Sequence, residues 1–336
     1  MIRFVKLYLV VLSVAICFVT FAFGETIKLA TLAPKTSSWM KILDAMGREI
    51  QEKSGGKLRM QFFPDGVQGD EIDVIRKMRA GLLHAGAMTS VGLGEIQKSV
   101  LIFQTPRLFH NYAELDYVRD RLKDQLDKSF EKAGYILLGW GDLGYFYFFS
   151  NQPIKSIGDV RNPNVKMWVR VDDLVGIHFF KAIGGIGVPL SVPQVLPSLY
   201  SGQINALVVS PLACIALQWF PKLKYMTDMP LAIGVGATVI TKAKYDKLTS
   251  QEQQILRETA QQYHQALVRH IREDNDKSVE ALKKAGIQVV TPSDAEQAGW
   301  DGLALQVQGE LAGQVYPKEL LEQVNTLLKE YRSHYK

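Results

Sequence analysis

At 336 residues, 47% apolar, 22% charged and 10% aromatic, the chain has the profile of a folded protein with a large core. These values exclude a disordered chain, a collagen-like repeat and a disulfide-stapled miniprotein, and at roughly 100–200 residues per domain they predict two lobes. A formal net charge of +5 is too mild to point to nucleic acid or an anionic membrane surface.

The first 24 residues stand apart. Arg3 and Lys6 form a short basic start, and Leu7 to Phe23 carry no charge. Ala22-Phe23-Gly24 then offers small residues where signal peptidase needs them, so residues 1–24 read as a signal peptide cleaved after Gly24, and the protein as periplasmic. The alternative, a retained anchor, asks for a longer apolar run. Losing Arg3 and Lys6 lowers the net charge from +5 to +3. Cys17 leaves with the signal, so the mature chain keeps Cys214 alone and has no internal disulfide.

From Glu25 onward, short β-rich runs alternate with longer helical ones. Ile27 to Ala33 predicts a strand, Ser37 to Lys53 a helix, Leu58 to Phe63 a strand and Asp70 to Ala80 a helix. Strand 83–88, helix 113–133 and strand 135–140 follow, a βαβ series that predicts a parallel sheet. The aromatic run Tyr145 to Ser150 reads as a separate buried strand, and the turn-rich stretch Asn151 to Asn164 as a crossing between lobes. A second series comprises strand 165–169, helix 173–183, strand 187–190, a short helix after Pro193 and strand 204–209. Leu231 to Thr241 is suited to crossing back. Thr249-Ser250-Gln251-Glu252 is a capping box opening a helix that runs to about Lys284 without Pro or Gly. Such a helix, on the order of 50 Å long, is predicted to lie across both lobes. The predicted division places residues 25–149 with 235–270 in lobe I, and 150–234 with 271–336 in lobe II.

Enzyme signatures are missing from this pattern. There is no G-x-S-x-G, no H-E-x-x-H and no P-loop lysine motif. His264 and His270 are six apart on one helix, point to different faces and read as solvated or capping residues. The Gly-x-Gly pairs at 92/94, 139/141 and 234/236 lack a dinucleotide fingerprint and read as tight turns. Cys214 reads as a small buried hydrophobe. No cofactor and no metal set is predicted. Two α/β lobes behind an export signal outline a hinged binding protein whose ligand sits beyond the strand ends. They also leave open an exported two-lobed enzyme.

Four segments add a family resemblance. They are Pro64 to Glu71 (PDGVQGDE), Phe179 to Gly184 (FKAIG after Phe179) with Val188-Pro189-Leu190, Leu199 to Ala206 (LYSGQINA), and the long helix from Thr249. Together, in this order, they resemble the solute receptors of tripartite ATP-independent periplasmic (TRAP) transporters, in the branch named for C4-dicarboxylate uptake. The resemblance implies a two-lobed α/β receptor without enzymatic activity. It would deliver a small organic acid to one small and one large membrane subunit of a permease. An ATP-driven importer's receptor shares this outline, but the uninterrupted helix argues against it.

The resemblance also directs attention to particular residues. Many relatives clamp a substrate carboxylate with an arginine on the strand opening the second lobe. Aligned on Lys166, that position here holds Trp168, with Arg170 two residues further on and so on the same strand face. Arg170 either serves the ligand, or faces solvent or pairs with Asp172 or Asp173. A frequent asparagine is replaced by Ser210, and a second basic position falls at Phe146. These exchanges predict an apolar or aromatic ligand carrying a carboxylate, with Trp168, Trp39 and Trp219 as candidate walls. The alternative is a C4-dicarboxylate or other small carboxylate held by Arg170. Gly69 and Glu71, at a helix start, and Ser90 beside Thr89, just past the third strand, complete the candidate ligand set.

Overall fold

The computed structural model describes residues 24–334, so the predicted signal segment lies outside the described residues. The chain begins with β1 (Glu25–Thr31), α1 (Ser38–Lys53), β2 (Leu58–Phe63), α2 (Glu71–Arg79), β3 (Ala85–Thr89) and α3 (Ser90–Ile96). A 3-10 segment at Lys98–Gln104 and α4 (Tyr112–Lys132) lead into β4 (Tyr135–Ser150). Next come α5 (Ile157–Val160), β5 (Lys166–Arg170), α6 (Leu174–Ile183), β6 (Ile186–Leu190), α7 (Val192–Ser201), β7 (Ala206–Val209) and α8 (Pro211–Ala216). The remainder is β8 (Tyr225–Thr227), β9 (Ala232–Thr241), α9 (Lys242–Tyr245), α10 (Ser250–Lys284), β10 (Gln288–Val290), α11 (Asp294–Leu311) and α12 (Lys318–His334).

The strands lie in the order β2-β1-β3-β9-β4-β7-β5-β6, with β8 pairing β4 and β10. Pairing is parallel where βα units return to the sheet, as in β1 with β2 and β3, and β5 with β6 and β7. It is antiparallel around β9 and β4. The sheet is therefore mixed, which corrects the all-parallel expectation. A long strand that runs back through the sheet needs no crossover helix and pairs antiparallel.

The two strands expected at 135–140 and 145–150 are one. β4 pairs with β9 from Tyr135 to Phe146 and with β7 from Tyr147 to Ser150. The hand-over between the two halves of the sheet thus falls inside β4, ahead of the Asn151–Asn164 stretch. Gly141-Asp142-Leu143-Gly144 breaks the hydrophobic pattern without breaking the strand. Asp142 is fully buried but paired with Arg119 and Arg272, and Gly144 takes φ +104 at a register shift.

The capping box at Thr249 forms as predicted, and α10 runs 35 residues, about 50 Å. Near its start Leu256 and Ala260 join a core with Ile27, Leu29, Met40 and Leu43. Near its end Leu282 joins a different core with Leu190, Val195, Leu207 and Cys214. Between these anchors the buried face mixes apolar Leu267 and Ile271 with polar His264 and Asn275, and the last two hydrogen-bond to the backbone of β4 at Trp140 and Leu143. The two polar residues lie where the helix crosses bulged strand backbone, whose carbonyls need donors.

Candidate ligand-binding site

A cavity of about 260 Å³ opens between the two halves of the sheet. Trp39, Glu71, Phe146, Trp168, Arg170 and Trp219 all line it. α1 supplies Trp39, whose Nε1–H donates to the carbonyl of Asp142 at 3.2 Å. β5 supplies Trp168 and Arg170 on one face. Trp168 donates its N–H to the carbonyl of Leu190 at 3.0 Å and meets Trp219 edge to face, ring centres 5.2 Å apart. With its polar tip spent on backbone, Trp168 offers a ligand only its ring. Phe146 lies over Gly234, where a Cβ would come within 2.3 Å of the phenyl ring.

Arg170 is buried, and its donors are largely committed. Nε–H donates to Asp172 at 2.9 Å, Nη1 to the Thr89 hydroxyl at 3.2 Å, and Nη2 to Asp70 at 2.7 Å and Glu71 at 3.0 Å. A guanidinium has five N–H donors, and these contacts use four, leaving one on Nη1. Of the two readings of Arg170, the pairing with Asp172 is present, and two further acidic partners from α2 and the residue capping it were not anticipated. Asp70 itself caps α2 and also accepts from the backbone N–H of Val192 at the start of α7, 3.0 Å away. One carboxylate thereby ties two helix starts across the cleft.

Two of the acidic groups here, Glu71 and Asp173, feel burial first. Burial pushes the Glu71 carboxyl above its ordinary range, while Arg170 and Thr89 pull the other way. Asp173 is likewise raised by burial, against the Gly176 N–H and Arg170. For Arg170 burial opposes the charge, but Glu71, Asp70, Asp172 and Asp173 outweigh it and raise its pKa.

Three candidates lie off the cavity lining. Ser210 is fully buried and caps α8, accepting from the Ala213 N–H at 3.4 Å. Ser90 is fully buried and donates to Gln104, a lining residue that in turn donates to Asp173 at 3.2 Å. Gly69 holds φ +95 just before the Asp70 cap, where a Cβ would come within 2.6 Å of Asp73.

His264 and Thr238 are among the lining residues that the sequence pattern does not single out for the site. His264 is buried, not solvated, and sits against Gly139, where a Cβ would meet its ring at 2.5 Å. Thr238, opposite Gly139 on β9, is also buried and lines the cavity. The signal that pointed to them was misread: the pairs at 139/141 and 234/236 lie inside β4 and β9, not in turns. Glycine within a strand marks close approach of a neighbour, here His264, Leu267, Phe146 and the Met88 backbone.

Residues 29–312 match the family described as bacterial extracellular solute-binding protein, family 7 (DctP). The 2,3-diketo-L-gulonate-binding periplasmic protein YiaO of Escherichia coli (strain K12) is 26% identical over 264 residues, 77% of this chain and 78% of that protein. The sugar acid binding protein DctPAm of Advenella mimigardefordensis, in complex with galactonate, superposes with a TM-score of 0.85 at 17% identity, covering 91% and 98% of the two chains. DctP7 of Bordetella pertussis, an extracytoplasmic solute receptor binding pyroglutamic acid, gives 0.84 at 14% identity, covering 91% and 100%. These solved structures share the two-lobed α/β fold.

Proposed function

We propose that this chain, which belongs to family 7 of the bacterial extracellular solute-binding proteins and is a receptor of the TRAP type, captures a small organic acid whose greater part is apolar or aromatic. The observation that carries this reading is the wall of Trp39, Phe146 and Trp168 beside Arg170. Aromatic faces favour an apolar or ring-bearing body. The one uncommitted N–H of Arg170 suits a single hydrogen bond to a carboxylate oxygen, in place of a two-pronged grip. The relatives named above bind 2,3-diketo-L-gulonate, galactonate and pyroglutamic acid, in keeping with a carboxylate on the solute. Trp168 and Trp39 would face the body of the ligand, with Trp219 buttressing Trp168.

In this reading the receptor is exported, its signal removed after Gly24, and it hands its solute to the small and large membrane subunits of a permease. Residues 25–149 with 235–270 and residues 150–234 with 271–336 would close on the ligand as two bodies. An intact mass measured on periplasmic extract tests the cleavage site.

Calorimetry with phenylacetate and succinate tests the ligand class. Saturable phenylacetate binding, tighter than succinate and accompanied by a raised melting temperature, is the expected result. Tighter binding of succinate overturns it, and product formed from the bound acid would overturn the receptor role itself.

A further inference from the structure

The cavity contains a polar pair that the apolar-ligand reading leaves unused. His264 Nδ1 lies 3.0 Å from the carbonyl of Trp140. A carbonyl oxygen only accepts, so Nδ1 carries the hydrogen and Nε2 of the neutral ring is a bare acceptor. Burial pushes the ring's pKa down to about 4, against the pull of that carbonyl, so the neutral form prevails at pH 7. Nε2 makes no hydrogen bond, and neither does Oγ1 of Thr238. His264 is 4% exposed and Thr238 fully buried, and both line the cavity.

The sheet brings them together. Thr238 is the register partner of Gly139 on β4, and the His264 ring packs directly on Gly139. On its other side Thr238 pairs with Ala87, two residues before Thr89, the hydroxyl that Arg170 engages. Two strand residues place Ala87 and Thr89 on one face, roughly 7 Å apart. Buried polar atoms are nearly always hydrogen-bonded, so two orphans at one wall of a binding cavity mark a place for a group that satisfies both. A hydroxyl does so, donating to Nε2 and accepting from Thr238; a carboxylate has no hydrogen to give Nε2.

From this juxtaposition we infer that Thr238 and His264 form a hydroxyl-recognition subsite, so that the solute is a hydroxy acid whose hydroxyl lies several atoms from its carboxylate. This deepens the proposed function and rests on it. The probes are phenylacetate with 4-hydroxyphenylacetate, and hexanoate with 6-hydroxyhexanoate, titrated into the wild type and the near-isosteric Thr238→Val variant. Each hydroxy acid is expected to bind wild type about tenfold more tightly than its partner, and Thr238→Val to erase most of that preference.

Plain and hydroxy acids binding wild type alike, or a preference that survives in Thr238→Val, overturns the subsite and leaves the receptor reading standing. Failure of all four acids to bind overturns both. Should Thr238→Val not fold, the imidazole ¹⁵N signals of wild-type His264 give the answer. An Nε2 shift induced by the hydroxy acid and not by its partner supports the subsite. An Nε2 already hydrogen-bonded without acid and unmoved by either identifies a resident water and overturns it.

Discussion

Two buried ionic clusters flank the cleft, and they are built on opposite principles. Around Asp142, two carboxylates meet two guanidinium groups: Arg119 and Arg272 each bond both Asp142 and Asp116 at 2.7–2.8 Å. Charge is balanced, and the cluster ties β4 to α4 and α10. Around Arg170, a single guanidinium faces Asp70, Glu71 and Asp172. Acid is in excess, and the partners come from α2 and its cap on one side and the turn after β5 on the other. A balanced cluster gains nothing by coming apart and serves as a strut. The acid-rich one holds a carboxyl, Glu71, that burial already urges toward the neutral form, so its contacts can be exchanged at smaller cost.

The contrast is broken most severely by Asp142→Ala. This change leaves two largely buried arginines sharing Asp116 alone and should cost about 3–5 kcal/mol in urea unfolding. Arg170→Ala should cost less, about 2 kcal/mol at pH 7, because Glu71 keeps the Thr89 and Gly92 N–H groups and the Thr89 hydroxyl. The deficit should shrink as pH falls, because burial raises the Glu71 carboxyl and so favours its neutral form. An equal loss from the two substitutions would end the distinction.

His264 sharpens the comparison as a buried titratable group outside both clusters. Its folded pKa of about 4 lies below the ordinary 6.5, so between these values the unfolded chain binds the proton and the folded one does not. Stability due to this residue is present above about pH 6.5 and is lost as pH falls toward 4. The loss reaches about 2 kcal/mol at pH 5 and should be missing from the pH profile of His264→Gln.

Trp168→Ala should weaken phenylacetate by about 1.5 kcal/mol in calorimetry while sparing both ionic clusters. Smallest of all, Ser210→Ala should lower stability by about 1 kcal/mol through its lost cap and leave phenylacetate affinity unchanged.

Most of the strands and helices were legible because each carried its own local signal. Ser37, Asp70, Asp173 and Thr249 cap the helices that the periodicity predicted. β4 was misjudged because its continuity through Asp142 depends on Arg119 and Arg272, which lie far off in sequence. The aromatic wall was approachable through family resemblance. Its ionic corner was not, since Arg170 finds Asp70 and Glu71 a hundred residues away only after the two halves meet. Thr238 and His264 had left a trace in the strand glycines, but a glycine records that something comes close without saying what. Ser210 and Ser90 show the converse: hydroxyls at plausible chain positions were spent on backbone capping and on orienting Gln104.

One feature of α10 constrains the whole molecule. A single rod roofs two separate hydrophobic cores, with Leu256 seated in one and Leu282 in the other. Neither half owns its cover, so cutting the gene between them would yield two fragments that each lack part of their lid. Any opening of the clamshell must flex this rod or slide one half along it, and its rigidity therefore limits how widely the jaws can gape.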